Sequence, residues 1–138
     1  MIVEPSTDAE IARCFPVMAQ LRPDLDEAGF VARVRRQMQG GYRLAALLDD
    51  AGVAAVAGYR ISENLVSGRH LYVDDLVTDE GRRSLGHGAE LLGWLEQRAR
   101  EAGCATFELD SGVHRSGAHR FYFEQRMTIS SFHFRKQL

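Results

Sequence analysis

Residues 82–92 read RRSLGHGAELL: two arginines, a Gly-x-Gly pair and the opening of an apolar helical repeat, all within eleven residues. Downstream, Ala89, Leu92, Leu95, Ala99 and Ala102 fall on one side of a 3.6-residue helix that Gly103 ends. Upstream, SGRHLYVDDLVT (67–78) reads as a strand. A strand followed by glycines, arginines and a helix start is a candidate anion seat. The first N–H groups of a helix have no intrahelical partners and carry partial positive charge. Gly86 and Gly88 let a ligand approach the backbone closely, and Arg82 and Arg83 add charge and donors. Alone, Gly-x-Gly is weak evidence, because most such pairs only shape a turn.

Working outward, IVEP (2–5) reads as a short strand stopped by Pro5. Ser6 or Thr7 caps a helix through DAEIARCFPVMAQL (8–21), which Pro16 kinks or shortens. In DLDEAGFVARVRRQMQ (24–39), Phe30, Val31, Val34 and Met38 mark a second amphipathic helix closed by Gly40 and Gly41. The period then changes. YRLAALLD (42–49) and VAAVAGYRIS (53–62) form an antiparallel hairpin around Asp50, Ala51 and Gly52, with 67–78 as the third strand of a meander. ATFELD (105–110) reads as a strand, SGAHRFYFEQ (116–125) as a short helix and MTISSFHFRK (127–136) as a final strand. No repeat or linker interrupts residues 1–138, so one domain is expected. The order predicts an α+β fold, an α/β sandwich, with a central mixed, mostly antiparallel sheet of about six or seven strands and about four helices.

A chain of 138 residues is long enough to bury roughly 68% of its unfolded surface. Seventeen Lys plus Arg against 19 Asp plus Glu leave a net charge of −2, which opposes nucleic-acid binding by bulk charge. RVRR (33–36) reads as a solvated helix face rather than a nucleic-acid patch. LAALL and VAAVAG are too short to span a bilayer, so no membrane association is expected. MIVEPSTDAE has no apolar core of a signal peptide. Cys14 and Cys104 fit neither a disulfide framework nor a C-x-x-C site and read as buried free thiols. These features predict a cytoplasmic protein. His114, His119 and His133 lack metal-ligand spacing, so no metal is expected.

Two familiar phosphate seats fail. A dinucleotide fold gains from Asp110 at the end of the next strand, but Leu91 stands where G-x-G-x-x-G needs its third glycine. Eight residues also separate Val77 from Gly86, whereas those glycines follow their strand almost directly. No Gly-Lys-Ser/Thr follows, which excludes a P-loop.

VDDLVTDEGRRSLGHGAELL (73–92) resembles the acyl-coenzyme A signature of the GNAT acetyltransferases, with Arg83, Gly86 and Gly88 at its defining positions. AHRFYFEQRM (118–127) resembles the family's second segment, A…FYxxxGF, at the expected distance. The resemblance implies a splayed sheet with acetyl-CoA entering between the strands at 71–78 and 105–110. It implies that backbone groups of Leu76, Val77 and Thr78 hold the pantetheine arm and polarise the thioester carbonyl. It also implies that the backbone of Arg83, Ser84, Leu85, Gly86, His87, Gly88 and Ala89 holds the pyrophosphate, with Arg82 adding its charge. Ser84 stands where a glycine is common, His87 where an aliphatic residue is usual, Arg115 where many members have asparagine, and Arg126-Met127 where Gly-Phe is common.

Acetyl transfer to an amine needs a group that takes a proton from the ammonium and one that gives a proton to the leaving thiolate. Asp74 and Asp75 are candidates for the first. Neighbours on a regular strand point to opposite faces, so at most one is expected in the cleft. Some amine-acetylating members of the family have an acidic pair at this place. Tyr122, at the position of the family's tyrosine, is the candidate acid, although Phe121 and Phe123 also suit a purely packing role. Glu108 and Asp110 fall on one side of their strand and face the acceptor site, solvent or the adjoining strand. The expectation is an acetyl-CoA-dependent N-acetyltransferase acting by direct transfer on an amine-bearing small molecule or peptide. The alternatives are a non-catalytic acyl-CoA-binding module, which has no turnover to lose, and a nucleotide-binding protein of another fold. ISSFHF (129–134) is a candidate for pairing across a homodimer.

Overall fold

The computed structural model describes residues 1–138. They divide into two compact units, Met1–Glu108 and Leu109–Leu138. In the first, helix α1 (Asp8–Arg13) starts at a capping box. Thr7 Oγ1 accepts from the Glu10 N–H, and the Glu10 carboxylate accepts from the N–H groups of Thr7 and Ser6. Pro16 lies in the first turn of a separate helix, α2 (Phe15–Leu21), where its missing N–H leaves no bond unmade. The single helix expected over 8–21 is therefore two, joined at Cys14. Helix α3 (Glu27–Gln39) buries Phe30 and Val34.

The strands are β1 (Ile2–Val3), β2 (Arg43–Asp49), β3 (Gly52–Asn64), β4 (Gly68–Thr78) and β5 (Thr106–Leu109), in that order across one sheet. β1 to β4 pair antiparallel. A 3₁₀ turn (Glu80–Arg82) and helix α4 (His87–Glu101) carry the chain to β5, whose preceding Ala105 N–H donates to Arg69 at the start of β4. One face of the sheet holds Leu44, Ala46, Val56 and Val77 against Ile11, Val17, Met18 and Phe30 of α1–α3. The other face packs on α4, where Tyr59 meets Trp94 edge to face at 6.3 Å. Cover on both sides explains why LAALL and VAAVAG are unbroken apolar runs rather than alternating ones.

In the second unit, helix α5 (Ser116–Glu124) ends in a Schellman turn. The N–H groups of Arg126 and Met127 donate to the carbonyls of Phe123 and Tyr122, and Arg126 takes a left-handed φ of 65°. The sheet thus has five strands and the chain five α-helices, against the six or seven and four expected. The difference in strands lies largely in residues 127–136, which form no strand and are mostly exposed. Their alternation specifies two faces but no ladder partner, and a strand without a partner leaves its backbone to water.

Candidate active site

The acidic pair sits on an irregularity in the β3–β4 ladder. Gly58 faces Asp75 and the next residue, Tyr59, faces Val73, so Asp74 is the extra residue of a β-bulge. The bulge interrupts the alternation, and both residues border the same cleft of about 530 Å³ beside α2 and α3. The expectation that only one faces it is corrected. Asp75 is the more committed of the two. Its Oδ1 accepts from Arg22 Nε at 3.0 Å and its Oδ2 from the Tyr42 hydroxyl at 2.8 Å. Asp74 accepts from Arg60 Nε at 2.8 Å through Oδ2 alone, leaving Oδ1 without a side-chain partner. Arg22 also donates to the Asp74 carbonyl, and Arg60 to the Gly40 carbonyl while lying over the Tyr42 ring. Burial, then the Asp75 charge, pushes the Tyr42 phenol far up, so it stays a donor. Sequence reading missed Arg22, Tyr42 and Arg60. They lie 14 to 53 residues from their carboxylates, and no local pattern marks them.

The glycine-arginine loop follows the C-terminal end of β4, a few residues beyond the acidic pair. Leu76, Val77 and Thr78 pair with Ala57, Val56 and Ala55. Gln20 of α2 then braces the start of the loop: its amide donates to Asp79 at 2.8 Å and accepts from the Glu80 N–H at 2.9 Å. That amide, more than the nearby Arg82, holds the Asp79 carboxyl below its ordinary range. The two arginines have different surroundings. Arg82 is tied inward to Asp49 at 3.2 Å, to Asp79 at 3.6 Å and to the Val53 carbonyl, whereas Arg83 is exposed and has no ion pair. The side chain of Arg82 therefore builds the loop rather than facing a ligand.

Ser84 and Gly86 take left-handed φ values of 67° and 82°, and Gly86 opens α4. The first bond of the helix runs from the Glu90 N–H to the Gly86 carbonyl, which leaves the N–H groups of His87, Gly88 and Ala89 without intrahelical partners. Nothing stands within 4 Å of a β-carbon built on Gly86, and His87 Nδ1 is a buried polar atom with no partner. Three free N–H groups, an orphaned ring nitrogen, open space and an exposed arginine suit a pyrophosphate. Leu85 is exposed, so it contributes backbone rather than packing.

Tyr122 lies on α5 in the second unit, edge to face with Phe121 at 5.4 Å. Burial raises its phenol pKa, and Arg115 opposes the rise. Glu108 accepts from Thr106 Oγ1 at 2.6 Å, and His133 lies 3.1 Å from Asp110. No group of three or more His, Cys, Asp or Glu is placed to hold a metal, and no helix is long and apolar enough to cross a membrane. Cys14 is buried, but Cys104 is only partly so, which corrects the expectation for the second thiol.

The sequence profile of the acetyltransferase (GNAT) family matches residues 8–127. This chain belongs to the GNAT acetyltransferase family. It is similar to the uncharacterized N-acetyltransferase YhdJ of Bacillus subtilis, with 37% identity over 129 residues, 92% of this chain and 91% of that protein. A shorter stretch of 66 residues is 38% identical to the aminoalkylphosphonate N-acetyltransferase of Salmonella typhimurium, covering 48% of this chain and 43% of that enzyme. The fold of this GNAT acetyltransferase is that of AAC(6')-Iy in complex with the bisubstrate analogue CoA-S-monomethyl-acetylneamine, at a TM-score of 0.84 and 14% identity over 100% and 98% of the two chains.

Proposed function

We propose that this GNAT acetyltransferase, working as one domain over residues 1–138, moves the acetyl group of acetyl-CoA directly to a primary amine of a small molecule or peptide in a ternary complex. One observation carries the reading: a single strand, β4, has two carboxylates on one side of a cleft and, beyond its end, a helix start with unpaired N–H groups. The relatives named above support an amine acceptor, since one is named for aminoalkylphosphonates.

Acetyl-CoA, when bound, supplies an activated acetyl thioester. The backbone from Arg83 to Ala89, with the Arg83 side chain, holds its pyrophosphate. Backbone groups of Leu76, Val77 and Thr78 hold the pantetheine arm and polarise the carbonyl. Asp74, through its unengaged Oδ1, attracts the ammonium and takes its proton through water. Asp75 adds charge while holding Arg22 and Tyr42 in place. Tyr122, whose buried phenol keeps its proton at neutral pH, gives a proton to the departing sulfur.

Thermal melting with acetyl-CoA, CoA, NAD and ATP tests the seat. A ligand at 100 times its Kd adds about 2.7 kcal/mol, a Tm rise of roughly 5–10 °C. Thiol release across a panel of amines tests the transfer. Tyr122→Phe and Asp74→Asn are expected to keep the acetyl-CoA shift and lose roughly 10²-fold or more in kcat. Stabilisation by acetyl-CoA with no thiol release from any amine makes the chain a binding module. Stronger stabilisation by NAD or ATP removes the acetyltransfer reading.

A further inference from the structure

The charges around the acceptor cleft do not balance for a simple amine. Asp74 and Asp75 are already paired with Arg60 and Arg22. Two lining charges remain exposed and outside any ion pair, Asp24 and Arg33. Arg33 is distinct among the arginines of its helix. Phe30, Arg33, Val34 and Gln37 recur at three- and four-residue intervals along α3 and border the cleft together. Arg35 is turned away to Asp8 at 2.8 Å, and Arg36 does not border the cleft. A diamine meets Arg33 as a like charge, whereas a simple anion has nothing to offer Asp74 Oδ1 or Asp24. A molecule with both charges satisfies each. Met18, Leu21 and Leu25 supply an apolar wall for the carbons between them.

We infer that the acceptor is zwitterionic, a primary amine joined by a short apolar span to an anionic oxyacid group, and that Arg33 receives that group. A guanidinium fork matches the paired oxygens of a carboxylate or a phosphonate better than a point charge does. This assignment rests on the acetyl-transfer reading and adds the acceptor class to it.

The test is thiol release by the full chain with acetyl-CoA and four acceptors: 3-aminopropanoate, 2-aminoethylphosphonate, propylamine and putrescine. One or both anionic amines are expected to exceed propylamine and putrescine by roughly 10–100-fold in kcat/KM, the scale of a charge-assisted contact. The first two arms separate carboxylate from phosphonate. Arg33→Ala is expected to erase that preference, with the loss falling on KM, and Arg33→Lys to restore part of it. Arg36→Ala removes the same charge from α3 outside the cleft and is expected to keep the preference. Propylamine or putrescine as the better acceptor, or a preference that survives Arg33→Ala, overturns the inference. So does a protein that acetyl-CoA stabilises but that turns over none of the four. Absence of stabilisation by acetyl-CoA strikes the acetyl-transfer reading itself.

Discussion

The Tyr42 hydroxyl lies over Gly58, where any β-carbon would overlap it, and from there donates to Asp75 Oδ2 at 2.8 Å. Gly58 is also the residue of β3 that faces Asp75 at the bulge. A missing side chain on one strand thus admits the phenol that orients a carboxylate on the next. Gly58→Ala is expected to cost roughly 1–3 kcal/mol by overpacking. Tm falls by roughly 3–10 °C, and the KM for the amine rises as Asp75 loses its donor. Melting curves and acceptor kinetics on the same preparation check this; unchanged values for both would show that the ring moves aside freely.

Ser84 and Arg126 are the two non-glycine residues with left-handed φ, and both stand where the family commonly has glycine. An L-residue pays roughly 1–2 kcal/mol in that region, against which glycine loses about 0.5–1 kcal/mol of unfolded-state entropy. Arg126→Gly is therefore expected to stabilise the protein by up to about 1 kcal/mol, read from the urea midpoint. Arg126→Ala retains the β-carbon and should bring no such gain. A gain with alanine equal to that with glycine would assign the effect to the arginine's charge instead.

The Glu10 carboxyl accepts from the N–H groups of Ser6 and Thr7, bonds that hold it below its ordinary 4.5. A depressed folded pKa stabilises above the unfolded value and loses that contribution as pH falls through the folded one. Glu10→Ala is expected to lower Tm at neutral pH, with the gap from the parent narrowing below pH 4.5. Melts at neutral pH and at about pH 3 measure it. A gap independent of pH would mean that Glu10 acts through contacts that do not need its charge.

Cys14 is fully buried, and burial with the Glu10 charge pushes its thiol up to about 12. Its thiolate fraction near pH 8 is on the order of 10⁻⁴. Cys104, between α4 and β5, is partly exposed. Iodoacetamide is expected to label the native protein at Cys104 and to reach Cys14 only after denaturation. Mass spectrometry of Cys104→Ser, which should stay unlabelled when native, decides it.

Much of the architecture was legible because it depends on near neighbours. The hairpin of β2 and β3, the start and end of α4 and the Thr7 cap all follow from residues within about four positions of each other. Pro16 was legible as a break, and its place in the first turn of α2 is the local rule for proline. Residues 127–136 were not: their alternation matches a strand, but a ladder needs a second chain segment, and alternation does not name one.

The sequence by itself determined where a helix would open with free N–H groups, because Gly86 and the following apolar repeat are adjacent in the chain. The left-handed backbone at Ser84 and Arg126 was not legible there, because neither residue type favours it. Tertiary structure alone decided the rest of the site. Asp74 and Asp75 share a cleft because β3 supplies one residue where β4 supplies two, a mismatch between strands that neither strand contains. Arg82 faces inward because Asp49 and Val53 of the hairpin meet it there. Arg33 stays outside any ion pair while Asp75 and Asp74 are held by Arg22 and Arg60, an arrangement that exists only once distant segments are packed together.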